Sequence, residues 1–176
     1  ENSAFVQNCV IILLYESEVP IMKKTLIAYF TRTGITKKLA EDTAKQTGAD
    51  LFAIEPVKTY SSTYLVCVGQ AKIENLQNAR PAIKAKPQNL QDYDTIVVMF
   101  PIWWFTCPNI ILTFLEENDL SGKTVIPVCT YGSSGKGSSE KAMTAVCKDA
   151  TFKPCIEATG LKDKAVAAIA AAIEEA

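Results

Sequence analysis

Five short apolar segments alternate along this chain with segments in which apolar residues recur at helical spacing. Nearly unbroken apolar runs of this length are typical of strands covered on both faces of a parallel sheet. The predicted strands are Leu26–Phe30, Leu51–Ile54, Thr95–Phe100, Thr124–Cys129 and Phe152–Glu157. The predicted helices begin at Ile35 and cover Tyr60–Ile73, Asn109–Leu115, Ser138–Lys148 and Lys162–Glu175. This alternation predicts an α/β fold, a single doubly wound five-stranded parallel sheet with helices on both faces.

Two stretches fall outside the alternation. Asn75–Asn89 is polar and is predicted to be a long surface connection. Residues 1–21 contain no Lys or Arg and follow no sustained period, so we assign them to an N-terminal extension and the α/β domain to residues 22–176. The extension could form an extra strand, an arm on a neighbouring subunit, or translated sequence upstream of a start at Met22.

The residue types exclude several classes of function. The chain has six cysteines and no histidine, which rules out Ser-His-Asp and Cys-His catalysis and His-ligated metal sites. The cysteines lack C-x-x-C spacing, so we expect free thiols in a reducing compartment. No apolar run is long enough to span a bilayer, and there is no basic patch for nucleic acid. We therefore expect a cytoplasmic protein without metal, membrane or nucleic-acid partners.

The loop after the first predicted strand is rich in hydroxyl groups. Thr31, Thr33 and Thr36 surround Gly34 at the point where the helix begins. Their hydroxyls, with the free backbone N–H groups of a helix start, predict a phosphate site, to which Arg32 can add charge. The simpler interpretation is that a threonine caps the helix and the glycine eases the turn, as in any βα unit.

The loops after the third and fourth predicted strands should lie beside this one, because ligands bind beyond the carboxyl ends of such strands. The third-strand loop holds both tryptophans, Trp103 and Trp104. At least one is predicted to line a cleft and stack on an aromatic ligand. The alternative places one in the core and the other against a subunit. The loop Thr130–Ser138 is rich in glycine, and Tyr131 offers a second aromatic wall, but the spacing matches no nucleotide motif.

Taken together, Tyr29–Lys37, Pro101–Trp104 and Cys129–Gly135 resemble the bacterial flavodoxin-like FMN-binding proteins, and the resemblance runs from Met22 to the final helix. It implies a strand order of 2-1-3-4-5, FMN as the cofactor and redox chemistry carried by the flavin, with no catalytic residue assigned. The first loop would hold the phosphate and the other two the isoalloxazine ring. The implied cofactor-binding residues are Thr31, Arg32, Thr33, Gly34, Ile35, Thr36, Pro101, Ile102, Trp103, Trp104, Phe105, Thr106, Thr130, Tyr131, Gly132, Ser133, Ser134 and Gly135.

Two positions depart from the family pattern. Phe105 stands where a small residue, often glycine, is usual, and a residue with a Cβ turns its peptide toward the flavin less readily. Ile35 stands where asparagine is frequent, which removes one hydrogen-bonding side chain from the phosphate loop. The backbone and the threonines remain, so phosphate binding is still expected.

The net charge bears on the partner. Flavodoxins that shuttle electrons are commonly strongly acidic, whereas this chain has a net charge of −1, and residues 22–176 hold 18 basic and 16 acidic residues. We expect electron transfer through FMN to redox partner proteins or a small-molecule acceptor, from a monomer or homodimer. The alternatives are an NAD(P)H-dependent FMN oxidoreductase or quinone reductase of the same fold, and a non-redox binding module that has lost the flavin.

Overall fold

The computed structural model describes residues 24–159 and 162–176, and the predicted extension 1–21 lies outside them. The strands are β1 (Thr25–Tyr29), β2 (Asp50–Ala53), β3 (Thr95–Pro101), β4 (Thr124–Thr130), β5 (Thr151–Phe152) and β6 (Ile156–Ala158). The helices are α1 (Ile35–Thr47), α2 (Tyr64–Leu76), α3 (Asn109–Glu117), α4 (Ser139–Val146) and α5 (Lys162–Glu174). None of the helices in these described ranges is long and apolar enough to cross a membrane.

All strand pairs in the sheet are parallel, and the order is β2-β1-β3-β4-β5, with β6 also paired to β4. The predicted fold class and order 2-1-3-4-5 are confirmed. The register aligns Tyr29 with Met99, and Met99 with Val128. The carboxyl ends of the three central strands therefore lie side by side at one edge of the sheet.

Alternate residues of the central strands pack on opposite faces of the sheet. Val98 of β3 belongs to a core formed with α3 and α4, whereas its neighbour Val97 belongs to a second core formed with α1 and α5. Both side chains are fully buried. Burial of an aliphatic side chain of this size stabilises the fold by about 1.5–3 kcal/mol, which explains why unbroken apolar runs form these strands.

The fifth strand position differs from the prediction of one continuous strand, Phe152–Glu157. It is divided into β5 and β6, because Pro154 lacks the N–H that a strand residue donates. The next N–H, that of Cys155, donates instead to the Glu140 carboxylate of α4 at 2.6 Å. A side chain thus replaces the missing sheet acceptor at the break.

The segment before α2 is not helical, although the sequence predicts a helix from Tyr60. The side chains of Gln70 and Ser61 accept hydrogen bonds from the N–H groups of Ser61 and Thr63, which fixes a polar turn there. Hydroxyl side chains compete with the helical backbone in this way. The long connection after α2 passes beside the segment that follows β2, where Ile83 forms an antiparallel bridge with Pro56.

Candidate functional site

A cavity of about 720 Å³ opens at the carboxyl ends of β1, β3 and β4. Its size is that of a small-molecule or cofactor site, and its position is the one that open α/β sheets favour. The lining residues are Thr31, Arg32, Thr33, Ile35, Thr36, Tyr64, Cys67, Val68, Ala71, Pro101, Ile102, Trp103, Trp104, Phe105, Thr130, Tyr131, Gly132, Ser134 and Ala158. Fourteen of them are residues that the sequence assigned to a cofactor.

The turn between β1 and α1 forms one end of the cavity. Gly34 has φ +86°, a left-handed conformation that glycine adopts without strain, and its N–H donates to Thr31 Oγ1 at 3.0 Å. The helix then starts at Ile35 without a side-chain cap. The N–H groups of its first turn have no acceptor within the helix and carry the positive end of the helix dipole.

The three threonines of this loop have different roles. Thr31 braces the turn, whereas Thr36 is buried and shares a 2.9 Å hydrogen bond with the hydroxyl of Thr130 at the end of β4. Ile102 donates its N–H to the Thr130 carbonyl at 2.9 Å, so the three loops are joined around one residue. Thr33 is exposed and lines the cavity.

Arg32 connects the loop between β1 and α1, which we call the phosphate-type loop, to the segment before α2 through hydrogen bonds. Its Nε donates to the Ser61 carbonyl at 3.3 Å and its Nη2 to the Ser62 carbonyl at 2.6 Å. The guanidinium therefore supports the wall of the cavity as well as lining it. Burial raises the pKa of the nearby Cys67 thiol, and Arg32 opposes part of that rise.

The loop after β3 makes a tight turn from Trp103 to Thr106. The N–H of each of these residues donates to the carbonyl of the other, at 2.9 and 3.2 Å. The two residues between them, Trp104 and Phe105, have φ +52° and +61°. This geometry is that of a two-residue hairpin, in which both central residues take positive φ. Side chains larger than asparagine adopt it at a cost.

The two tryptophans are held in different ways, although both line the cavity. Trp103 is half-buried and packs edge-to-face on Phe30 and Tyr60, with ring centroids 5.3 and 4.9 Å apart. Trp104 is 42% exposed, and its indole N–H donates to the Val68 carbonyl of α2 at 3.0 Å. The Lys72 ammonium lies 4.6 Å from the centre of the Trp104 ring. Trp104 is thus a wall fastened to α2.

Tyr131 begins the loop after β4. A hydrogen bond to the Glu157 carboxylate raises the pKa of its phenol. Of the predicted cofactor-binding residues, the cavity lining does not include Gly34, Thr106, Ser133 and Gly135. Gly34 and Thr106 instead shape the two turns that bear lining residues, because each makes a turn-closing hydrogen bond.

The wall of the cavity that α2 forms was not predicted from the sequence. Tyr64, Cys67, Val68 and Ala71 lie at helical spacing on α2 and form one side of the site, and Ala158 closes it from β6. The spacing of the four identifies a single helix face. It does not indicate that this face meets a ligand, because a helix face of the same composition packs equally well on a core.

The cysteines of the described residues form neither a disulfide nor a metal site. Five of them are free and buried, and Cys9 lies outside the described residues. Within residues 24–159 and 162–176, no cluster of cysteine and acidic side chains could hold a metal ion.

Comparison with known proteins identifies relatives of this chain. The family described as Flavodoxin matches residues 24–169. A candidate flavoprotein from Bacteroides eggerthii is 35% identical, with a TM-score of 0.77, over 86% of this chain and 98% of that one. One from Bacteroides uniformis is 34% identical, with a TM-score of 0.76, over 84% and 97%. A flavoprotein from Lactobacillus acidophilus, solved in complex with FMN, shares the fold at 20% identity and a TM-score of 0.67, over 77% and 93%. No curated protein matches the chain.

Proposed function

The chain belongs to the flavodoxin family, and we propose that it binds FMN in the cavity at the carboxyl edge of the sheet and acts in electron transfer through that flavin. One observation carries the proposal. A single cavity joins an uncapped helix start with threonine hydroxyls to a slot with aromatic walls. FMN has the matching parts, a terminal phosphate and a flat, largely apolar ring.

The residues of the β1–α1 turn fit the phosphate. The N–H groups of the first turn of α1 and the Thr33 hydroxyl are donors at the edge of the cavity, and the helix dipole favours an anion there. The Arg32 guanidinium adds a positive charge near the same end. Its hydrogen bonds to the Ser61 and Ser62 carbonyls hold it in place.

The residues after β3 and β4 fit the ring. Trp104 and Tyr131 present aromatic surface to the cavity, with Ile102 and Pro101 beside them. Aromatic faces stack on a planar ligand and exclude water from it. An apolar surrounding of this kind disfavours negative charge on the ring.

None of the described residues that line the cavity is an aspartate or a glutamate. When bound, FMN supplies one- and two-electron redox chemistry. Among the groups that line the cavity, the Cys67 thiol and the Tyr131 phenol have a raised pKa and stay protonated at neutral pH. We therefore assign the protein the tasks of binding and orienting the flavin, and leave proton exchange to solvent.

The electron acceptor is a redox partner protein or a small molecule, and the protein acts as a monomer or homodimer in the cytoplasm. The five free thiols of the described residues support a reducing location. A net charge of −1 favours neither strong attraction to a basic partner nor repulsion. This observation keeps a second candidate, hydride transfer from NAD(P)H to a quinone or similar acceptor.

Two assays on the FMN-loaded protein separate the candidates. A carrier, reduced with dithionite, passes electrons to a one-electron acceptor but does not oxidise NADH or NADPH. If the protein rapidly oxidises NADH or NADPH and reduces an added quinone, that result contradicts the carrier and supports the reductase. A protein that shows no saturable binding of FMN contradicts both and supports the non-redox module.

A further inference from the structure

We propose that Gly137 and Ser138 are positioning residues for the aromatic wall of the site. The backbones of both residues contact the Phe105 carbonyl, and we call this contact the clamp. It fixes the turn that carries Trp104. The clamp itself follows from geometry, whereas its consequence for FMN affinity rests on the proposed function.

The contact is a close backbone approach between the loops after β3 and β4. The Ser138 N–H donates to the Phe105 carbonyl oxygen at 2.9 Å, and the Ser138 hydroxyl lies 3.4 Å from the same oxygen. A Cβ on Gly137 would overlap that oxygen and stand 2.6 Å from the carbonyl carbon. Gly137 also has φ +55°. Glycine is therefore needed at this position for two separate reasons.

The turn that receives the clamp has a conformation that its own sequence disfavours. Trp104 and Phe105 both take positive φ, where a side chain crowds the backbone. Such residues persist when the surroundings determine their conformation. On the side of α2, the Val68 carbonyl accepts the Trp104 indole N–H. On the other side, the determinant is the contact of Ser138 with the Phe105 carbonyl.

The second half of the glycine-rich loop, residues 135–138, therefore has a role other than direct contact with the ligand. Gly135 does not line the cavity, and Lys136 pairs with Glu140 at 2.9 Å. Of the glycines in this loop, only Gly137 lies so close to another backbone that a Cβ would overlap it, and that backbone is Phe105 of the turn. We infer that residues 135–138, which do not line the cavity, act on the ligand indirectly by fixing the position of Trp104.

The experiment uses Gly137→Ala, with Gly122→Ala as the matched control. Gly122 also has positive φ, +72°, but a Cβ there meets nothing within 4 Å, and the residue lies away from the cavity. The control therefore shares the backbone strain and lacks the collision. A third variant, Ser138→Ala, removes the hydroxyl and keeps the N–H that forms the shorter hydrogen bond.

The readout that needs no flavin is tryptophan fluorescence. The chain has two tryptophans, and both lie in this turn. We expect acrylamide to quench the apoprotein of Gly137→Ala more strongly than the wild type, and to quench Gly122→Ala and Ser138→Ala like the wild type. Equal quenching of Gly137→Ala and the wild type, with both folded by circular dichroism, overturns the clamp.

The second readout is FMN affinity. We expect Gly137→Ala to bind FMN at least about tenfold more weakly than Gly122→Ala, because a ring wall is displaced. Unchanged affinity overturns the positioning role. If the wild type itself binds no FMN, the proposed function fails, and the fluorescence experiment still decides the clamp.

Hydrogen exchange on the wild type decides the case if Gly137→Ala does not fold. The clamp predicts that the Ser138 amide is protected, because it donates to Phe105. Exchange as fast as that of Ser133 and Ser134 in the same loop contradicts the clamp.

Discussion

Thr33 has a position that separates it from the other two threonines of the phosphate-type loop. Thr31 accepts the Gly34 N–H, and Thr36 bonds to Thr130, whereas the Thr33 hydroxyl is exposed at the cavity. The sequence analysis assigned all of these residues to the cofactor site: Thr31, Thr33, Gly34, Thr36 and Thr130. It could not show that two of the hydroxyls pair with each other, because they are 94 positions apart in the chain.

Thr33→Val tests the phosphate assignment. We expect the affinity for FMN to fall about tenfold, because the variant loses one hydrogen bond to a charged group. The affinity for riboflavin should change little, because riboflavin lacks the phosphate. Thr47→Val, at the opposite end of α1, is the control and should leave both affinities unchanged. Equal losses for FMN and riboflavin in Thr33→Val would place the phosphate elsewhere.

The two tryptophans should respond differently to truncation. Trp103→Ala removes two edge-to-face contacts in a half-buried position, and we expect it to lower the free energy of unfolding by about 2 kcal/mol. Trp104→Ala should cost less than about 1 kcal/mol, because that side chain is 42% exposed, yet it should weaken FMN binding. Urea unfolding of the apoproteins checks the difference, and equal losses would contradict it.

Among the elements, the divided fifth strand depends on a side chain of α4. Glu140 accepts the Cys155 N–H and pairs with Lys136, and the hydrogen bond to that N–H lowers the pKa of the carboxyl below its usual 4.5. The sequence shows Pro154 and hence the possibility of a break. It does not show which distant group satisfies the N–H that follows.

Glu140→Gln tests this account through pH. Because the folded-state pKa is lowered, the stabilisation by the carboxylate is fully present above the unfolded-state pKa of about 4.5 and is lost as pH falls through the folded-state value. The variant should be less stable than the wild type at pH 7, and the difference should shrink as pH falls below 4.5. Urea unfolding across pH 3–7 measures it. A difference that stays constant with pH would show that the charge of Glu140 does not contribute.

α2 shows what limits prediction at this scale. Its apolar periodicity indicated a helix, and the helix is present. Only Cys67 and Ala71 of α2 are buried, and they line the cavity together with Tyr64 and Val68 of the same face. Periodicity identifies a helix face but not its partner, which here is a loop far along the chain, since Trp104 donates its indole N–H to the Val68 carbonyl.

For the whole molecule, the sheet could be predicted because β1, β3 and β4 are buried on both faces and so have nearly unbroken apolar sequences. The site followed from the same rule, since the loops at their carboxyl ends must meet. The wall contributed by α2 could not be predicted, because it depends on contacts between segments far apart in the chain.

The overall charge makes a prediction about partners. With a net charge of −1, long-range attraction to a charged partner is weak. We expect the rate at which the reduced holoprotein reduces a basic protein such as cytochrome c to change less than about twofold between low and physiological salt. A tenfold fall with salt would instead indicate a strongly acidic docking patch.

The central claim is that the cavity holds FMN, with the ring against the aromatic walls. It is tested most directly by titrating purified apoprotein with FMN while flavin fluorescence and the visible absorption bands are recorded. The account predicts saturable quenching with shifted bands in the wild type, and weaker binding in Trp104→Ala. Absence of quenching at micromolar protein would contradict it and leave only the fold.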